Sequence, residues 1–228
     1  MPSCCYGDDY GSVFTAEEAS ALAGRYRRNG LAGSARDLVS MLGERALAAT
    51  SLLEVGGGVG EIQLSLLESG IVQRVTNVEL SPNWESAAQR LLEERGVTGQ
   101  VLRLVANFVD QAAVLPAADL VVLHKVVCCY PDWQSMLGAG IGKTKQMLAL
   151  TFPDDHWWSR VFISIGNVFF RLRGIRFRGY VHPPGAMLAL ARAAGLAVVA
   201  DRRRLVWRTV LLARPGRASQ PNAATDGS

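Results

Sequence analysis

Cysteine is scarce in this chain of 228 residues, and the four that occur stand as two adjacent pairs, Cys4-Cys5 and Cys128-Cys129. That spacing suits neither a C-x-x-C zinc site nor a disulfide framework, so free thiols and no bound metal are expected. A thiophilic site joining the two pairs stays open as an alternative. Long hydrophobic runs are also missing. No segment reaches the roughly 18 uncharged apolar residues that span a bilayer, and MPSCCYGDDYGS has neither a basic start nor an apolar core. A cytoplasmic location is expected. Acidic residues are missing from one stretch only. Residues 1–159 hold 12 basic and 18 acidic side chains, whereas residues 160–214 hold 11 basic ones and a single acid, Asp201. The pI near 9.1 comes with no recognised nucleic-acid motif, so nucleic acid is not an expected partner.

What is present is glycine in one telling place. Residues 52–60 read LLEVGGGVG, an apolar run ending in an acid and then a glycine turn, and EIQLSLLESG follows with the apolar spacing of a helix. Strand, turn and helix make half of a Rossmann-like unit. Glycine is required where the backbone turns sharply and a ligand approaches closer than a Cβ allows, and a helix start offers free N–H groups. A dinucleotide fingerprint, G-x-G-x-x-G, fails because Glu61 stands at its third position. The letters spell E-x-G-x-G-x-G instead, through Glu54, Gly56, Gly58 and Gly60. Taken alone, the same letters also fit a glycine turn in an unrelated α/β protein.

In this motif the chain resembles the class I S-adenosylmethionine-dependent methyltransferases. The resemblance implies that Glu54 helps hold the cationic methionine end of S-adenosyl-L-methionine while the glycines pass beneath it. RVTNVEL, residues 74–80, is a second strand ending in an acid, and one carboxylate there can accept two ribose hydroxyls. Glu79 takes that role, and the resemblance places Leu80 against the adenine. A third strand, 100–105, leads to Ala106-Asn107-Phe108. Family members commonly place an acid there; the amide oxygen of Asn107 can still accept from the adenine amine. Ser81 is expected to cap the helix that Gly96 stops.

Residues 118–127, ADLVVLHKVV, form a fourth strand followed by CCYPDW. Here the chain is similar to the ubiquinone and magnesium-protoporphyrin methyltransferase group, keeping Asp119, Val121, Tyr130, Pro131 and Asp132. Cys129 stands where some members carry histidine. Ligands bind beyond the carboxyl ends of parallel strands, so His124 and Tyr130 are candidate catalytic residues. His124 is the candidate base, because imidazole titrates near working pH; a pocket-shaping histidine without proton transfer is the alternative.

The expected fold is a seven-stranded, mostly parallel, Rossmann-like sheet with helices on both faces. Strands at 196–200 and 205–213 are joined by so short a link, DRRR-like turn residues, that the last strand must run antiparallel. Residues 1–33 are read as a helical lid, with a Thr15/Glu18 capping box and Tyr26 either in the lid or anchoring it. A further helix is expected from Ser34 to Leu47. The methyltransferase domain covers 34–214, with a substrate-side insertion at 154–183, and 215–228 reads as a disordered tail.

The insertion mixes aromatic residues with arginines. Trp157, Arg171, Arg173 and Arg178 are expected to bind substrate, and a large, apolar, anionic acceptor suits such a wall. Val161 to Phe170 reads equally as a buried helix, a homodimer contact or a pocket wall, and a basic aromatic helix on a membrane surface stays open. The expected activity is methyl transfer to a small, largely apolar molecule, at oxygen. Transfer to arsenic, sulfur, carbon or nitrogen, and a non-catalytic cofactor-binding regulator, are the alternatives.

Overall fold

The computed structural model describes residues 8–45, 47 and 49–215. Cys4, Cys5 and the tail after Pro215 lie outside them. In chain order the elements are α1 (Asp8–Val13), α2 (Ala16–Asn29), α3 (Gly33–Gly43), β1 (Ser51–Val55), α4 (Glu61–Glu68), β2 (Arg74–Glu79), α5 (Glu85–Arg95), β3 (Val101–Val105), α6 (Phe108–Gln111), β4 (Ala118–His124), α7 (Trp133–Lys143), β5 (Thr144–Pro153), α8 (Trp157–Leu172), α9 (Pro184–Ala193), β6 (Ala197–Arg204) and β7 (Trp207–Ala213). The seven strands form one sheet in the order β3-β2-β1-β4-β5-β7-β6, with β7 antiparallel to both of its neighbours.

Strand periodicity divides the core into two layers. Leu53, Val55, Val121, Leu123, Leu148 and Leu150 point to the face covered by α7 and α9, where they meet Leu137, Ile141, Met187 and Ala191. Their neighbours Leu52, Leu120, Val122 and Ala149 point the other way, onto Leu38, Leu42 and Leu66 of α3 and α4. The apolar runs of β1 and β4 therefore reflect burial on both faces, and each fully buried Leu or Val contributes about 1.5–3 kcal/mol. On the flank, Ala19, Ala23 and Tyr26 of α2 pack against Trp84, Ala87 and Leu91. Tyr26 is an anchor: its ring is buried beneath the Arg95 guanidinium and its hydroxyl is 3.3 Å from Ser65 Oγ.

The Thr15/Glu18 capping box is present. Elsewhere local chemistry departs from expectation. The helix expected from Ser34 to Leu47 starts one residue earlier, after Ala32, and stops at Gly43; Ser34 is buried inside it rather than capping it. Ser81 caps nothing with its side chain. A 3₁₀ turn over Pro82–Trp84 precedes α5, and the Ser81 hydroxyl bonds to the Phe14 carbonyl instead. Residues 201–204 are not turn residues but the end of β6, because their side chains find partners there: Asp201 with Arg208 on β7, and Arg204 with Asp37 on α3. Besides the four-residue α6, two helices have no counterpart in the sequence pattern. One is α7, capped by Asp132 accepting from Ser135 N at 3.1 Å; the other is the short α1. The apolar stretch 161–170 lies within α8, whose single buried residue is Ser159. It is not a core helix.

Candidate functional site

The chain winds outward from β1 through β2 to β3, then returns to lay β4 and β5 on the other side. That reversal opens a crevice at the carboxyl ends of the central strands. A cavity of about 360 Å³ occupies it. Its floor is the turn after β1, its sides are the ends of β2 and β4 and the start of α6, and Tyr10, Phe14, Leu22 and Arg25 from the first two helices and the link between them wall the remaining side.

Two carboxylates, Glu54 and Glu79, and the glycine turn define the floor. Gly56 and Gly58 have φ of +64° and +55°, which an L side chain adopts only with strain. The tightest position is Gly57, which carries no place in the E-x-G-x-G-x-G spacing. A Cβ there would lie 2.1 Å from Asn77 Nδ2 and 2.7 Å from Glu54 Oε2. Glu79 is fixed by its neighbours: Oε2 accepts from Gly58 N at 2.9 Å and Oε1 from Ser81 N at 3.0 Å. Each oxygen keeps a lone pair for a further donor. Burial raises the Glu79 carboxyl against these bonds. Glu54 is only 1% exposed, and the hydrogen bond it accepts from Asn77 is long, at 3.4 Å. Desolvation pushes it up to about 8, opposed chiefly by Arg103.

Arg103, on β3, was not legible as a site residue. It donates to the Gly58 carbonyl at 2.9 Å and forks onto Glu85, so a buried guanidinium ties the glycine turn to α5. The available signal was a charged residue in the middle of the strand VLRLV. Lys125 was missed too. It follows β4 at φ +59°, and its ammonium lies 4.6 Å from the centre of the Trp207 ring. Burial lowers its pKa, and it lines the cavity beside His124.

His124, Tyr130, Glu54, Gly56, Gly58, Glu79, Leu80, Asn107 and Phe108 all come together around this cavity. Gly60 does not reach it. It caps α4 at φ +87°, where a Cβ would strike Gln63 at 2.2 Å. Nor do Trp157, Arg171, Arg173 and Arg178 line it. Arg173 lies over the Phe169 ring, and Arg178 donates to the carbonyls of Ile175 and Phe177. The cations that do line the cavity are Arg25 and Lys125.

Two chemical expectations change with the geometry. His124 does not titrate near neutrality: burial, helped by the Lys125 charge, pushes it down to about 3. Its buried Nδ1 has no partner among the described residues. Asn107 Oδ1 accepts from Val109 N at 3.1 Å, capping α6, and lies 3.5 Å from the Tyr130 hydroxyl, so a ligand would compete with Tyr130 for its second lone pair. Asp119, the acid of the D-x-V pattern, sits at the opposite end of β4. It accepts hydrogen bonds from the backbone and hydroxyls of Thr50 and Ser51, so it braces two strands and takes no part in the cavity. The thiols of Cys128 and Cys129 lie 3.8 Å apart near the Lys125 carbonyl. Their mutual hydrogen bond, then burial, keeps Cys129 protonated. The described residues contain no cluster of three or more metal-ligating side chains.

A parallel sheet closed by an antiparallel strand, with a glycine turn between two strand-end acids, defines the S-adenosylmethionine-dependent methyltransferase fold. Residues 53–141 match the family model described as a methyltransferase domain, so the chain carries such a domain over that span. Among solved structures, an O-methyltransferase family protein from Burkholderia thailandensis superposes with a TM-score of 0.66 at 20% identity, over 89% of this chain and 63% of that one. The magnesium protoporphyrin IX methyltransferase of Synechocystis, solved with bound S-adenosylhomocysteine, gives 0.65 at 18% identity, over 89% and 99%. An O-methyltransferase family 2 protein from Planctomyces limnophilus, in complex with apigenin, gives 0.66 at 17% identity, over 88% and 62%. The chain thus spans less than two thirds of the first and third of these. No curated protein matches it in sequence.

Proposed function

We propose that the protein transfers a methyl group from S-adenosyl-L-methionine to an oxygen of a small, largely apolar, anionic molecule. The observation that carries the cofactor assignment is the donor set on the cavity floor. A glycine turn with no room for a Cβ at Gly56 or Gly57, flanked by the acids Glu54 and Glu79, suits a cationic, diol-bearing ligand and opposes a pyrophosphate. Glu54 would hold the ammonium end and the spare lone pairs of Glu79 the ribose hydroxyls, with Leu80 and Phe108 flanking the adenine. Bound there, the cofactor supplies an electrophilic methyl carbon on a sulfonium.

This chain's contribution to transfer is alignment and exclusion of water. Tyr10, Phe14 and Met136 give the cavity apolar walls, and Tyr130 and His124 are polar groups beside the end of β4. A neutral imidazole can accept a hydrogen bond from an acceptor hydroxyl without storing its proton. An acceptor carboxylate or phenolate needs no base. The kcat–pH profile should therefore show no inflection from His124 between about pH 6 and 7, where a free imidazole titrates. A fall near pH 6.5 that disappears in His124→Asn would restore the histidine as general base.

The anionic character of the acceptor is supported inside the cavity by Lys125 rather than by the arginines of 171–178. Lys125→Met should raise KM for an anionic acceptor about tenfold or more while changing kcat little, because that contact exists before and during transfer alike. Arg171→Ala should leave both unchanged with a soluble acceptor. The test of the whole reading is turnover: incubation with S-adenosylmethionine and a panel of hydroxylated or carboxylated aromatic acceptors, read by mass spectrometry. Methylated product with stoichiometric S-adenosylhomocysteine is the expected result. Tight cofactor binding without transfer to any acceptor would favour a non-catalytic binder, and product methylated at nitrogen, carbon or sulfur would overturn the assignment to oxygen.

A further inference from the structure

Helix α8 has two unlike faces. Its inner face is fastened to the chain that follows it: Asn167 donates to the Gly179 carbonyl at 2.9 Å and accepts from Gly179 N at 2.8 Å. Its outer face is apolar and open. Trp157 is 77% exposed, Phe162 61%, Ile165 65%, Val168 57% and Leu172 81%, with Val161 at 48%. At 100° per residue these six fall within an arc of about 140°, so they form one continuous stripe along the helix. Ordinary soluble surfaces scatter such residues singly.

Charge says what covers the stripe. The helix contains no acidic residue, and Arg171 lies along one margin of the arc beside Arg160, whose charge is already met by Asp155. Arg173 follows at the end of the helix, exposed and stacked on Phe169. The nearby acids are already engaged: Asp155 is forked onto Arg160, and Asp154 is buried among His156, Arg203 and Arg208. A second copy laid on this face would bring arginines toward arginines with no free acid to meet them. An anionic lipid surface meets both demands, taking the apolar side chains into the acyl boundary and the guanidinium groups among the headgroups. A 16-residue helix is too short and too two-sided to cross a bilayer, and no helix among the described residues is long and apolar enough to do so.

We infer that α8 docks this protein on an anionic membrane surface. The position of the helix gives that contact a use. Phe170, on its inner side, meets Phe177 at 5.4 Å, and Phe177 meets Tyr10 at 5.4 Å and Phe14 at 5.6 Å, both of which line the cavity. One layer of rings separates the docking helix from the cavity wall, so an apolar acceptor dissolved in the bilayer would be brought beside it.

The test is co-sedimentation of the full chain with vesicles of phosphatidylcholine alone, or of phosphatidylcholine mixed with phosphatidylglycerol. Binding to the mixed vesicles is expected, with little binding to the neutral ones and weakening as salt rises. Phe162→Ser with Ile165→Ser, and separately Arg171→Glu with Arg173→Glu, should each lower partitioning about tenfold or more. The thermal shift produced by S-adenosylhomocysteine should survive in both variants, since none of these residues lines the cavity; it also shows that each variant is folded. Should the serine pair unfold, the charge-reversal pair decides alone. Absence of binding by the unaltered chain, undiminished binding by a folded variant, or a dimer in solution that Phe162→Ser dissociates would each overturn the inference.

Discussion

Glu54→Gln should raise the dissociation constant for S-adenosylhomocysteine about a hundredfold while making the ligand-free protein more stable. The two effects have one cause. Glu54 is fully buried and poorly hydrogen-bonded, so desolvation lifts it from an ordinary 4.5 to about 8. Between those values the folded state holds a proton that the unfolded chain has released, so stability falls as pH rises from about 4.5 and the loss is complete near 8. A tenfold change in a proton affinity corresponds to about 1.4 kcal/mol. Glutamine mimics the neutral form and removes that cost, so the gain in Tm should be roughly 5 °C or more at pH 8 and small at pH 5. Binding follows the opposite sign. A cationic ligand requires the carboxylate, so affinity should weaken by up to about tenfold for each pH step of one below about 7.5, with a proton released on binding. Calorimetry in buffers of different ionisation enthalpy measures the released proton. An affinity that ignores both pH and the substitution would remove Glu54 from the cofactor site.

The central sheet and the cavity floor were legible because each rested on a local signal. Apolar runs of strand length ended in acids, a glycine turn followed the first, and a short final link forced β7 to run antiparallel. What escaped was set by distant contacts. Asp201 to Arg204 look like turn residues by composition, yet β6 continues through them because Arg208 on β7 and Asp37 on α3 lie within reach of their side chains. Arg171, Arg173 and Arg178 share a charge run with aromatic residues, and composition cannot say which face of α8 turns toward the cavity. Lys125 was hidden inside an apparent strand, since nothing in LHKVV announces a left-handed residue after His124. The low pKa of His124 was hidden for the same reason, because the ordinary value of an imidazole holds only in water.

Gly57→Ala should disable the cofactor site more completely than Gly58→Ala, although the spaced-glycine pattern singles out Gly58 and ignores Gly57. The added methyl at Gly57 would sit 2.1 Å from Asn77 Nδ2 and 2.7 Å from the Glu54 carboxylate. Neither neighbour can retreat. Both side chains are buried, on adjacent paired strands where Glu54 and Asn77 are register partners, and moving either disturbs the floor of the cavity. Overpacking of this kind costs about 1–3 kcal/mol, and the displaced carboxylate would also lose its place for a cationic ligand. At Gly58 the same methyl would meet only the Trp84 ring, at an ordinary 3.6 Å, leaving the strain of φ +55° as the chief cost, about 1 kcal/mol. Gly58→Ala should therefore lower Tm by a few degrees and keep measurable S-adenosylhomocysteine binding, whereas Gly57→Ala should show none by calorimetry. Gly58→Val is different again, because a branched side chain at positive φ both strains the turn and reaches into the cavity, so it should abolish binding as well. Equal binding by the two alanine variants would mean that Asn77 and Glu54 yield more readily than their burial implies, and that the floor of the site is not rigidly packed.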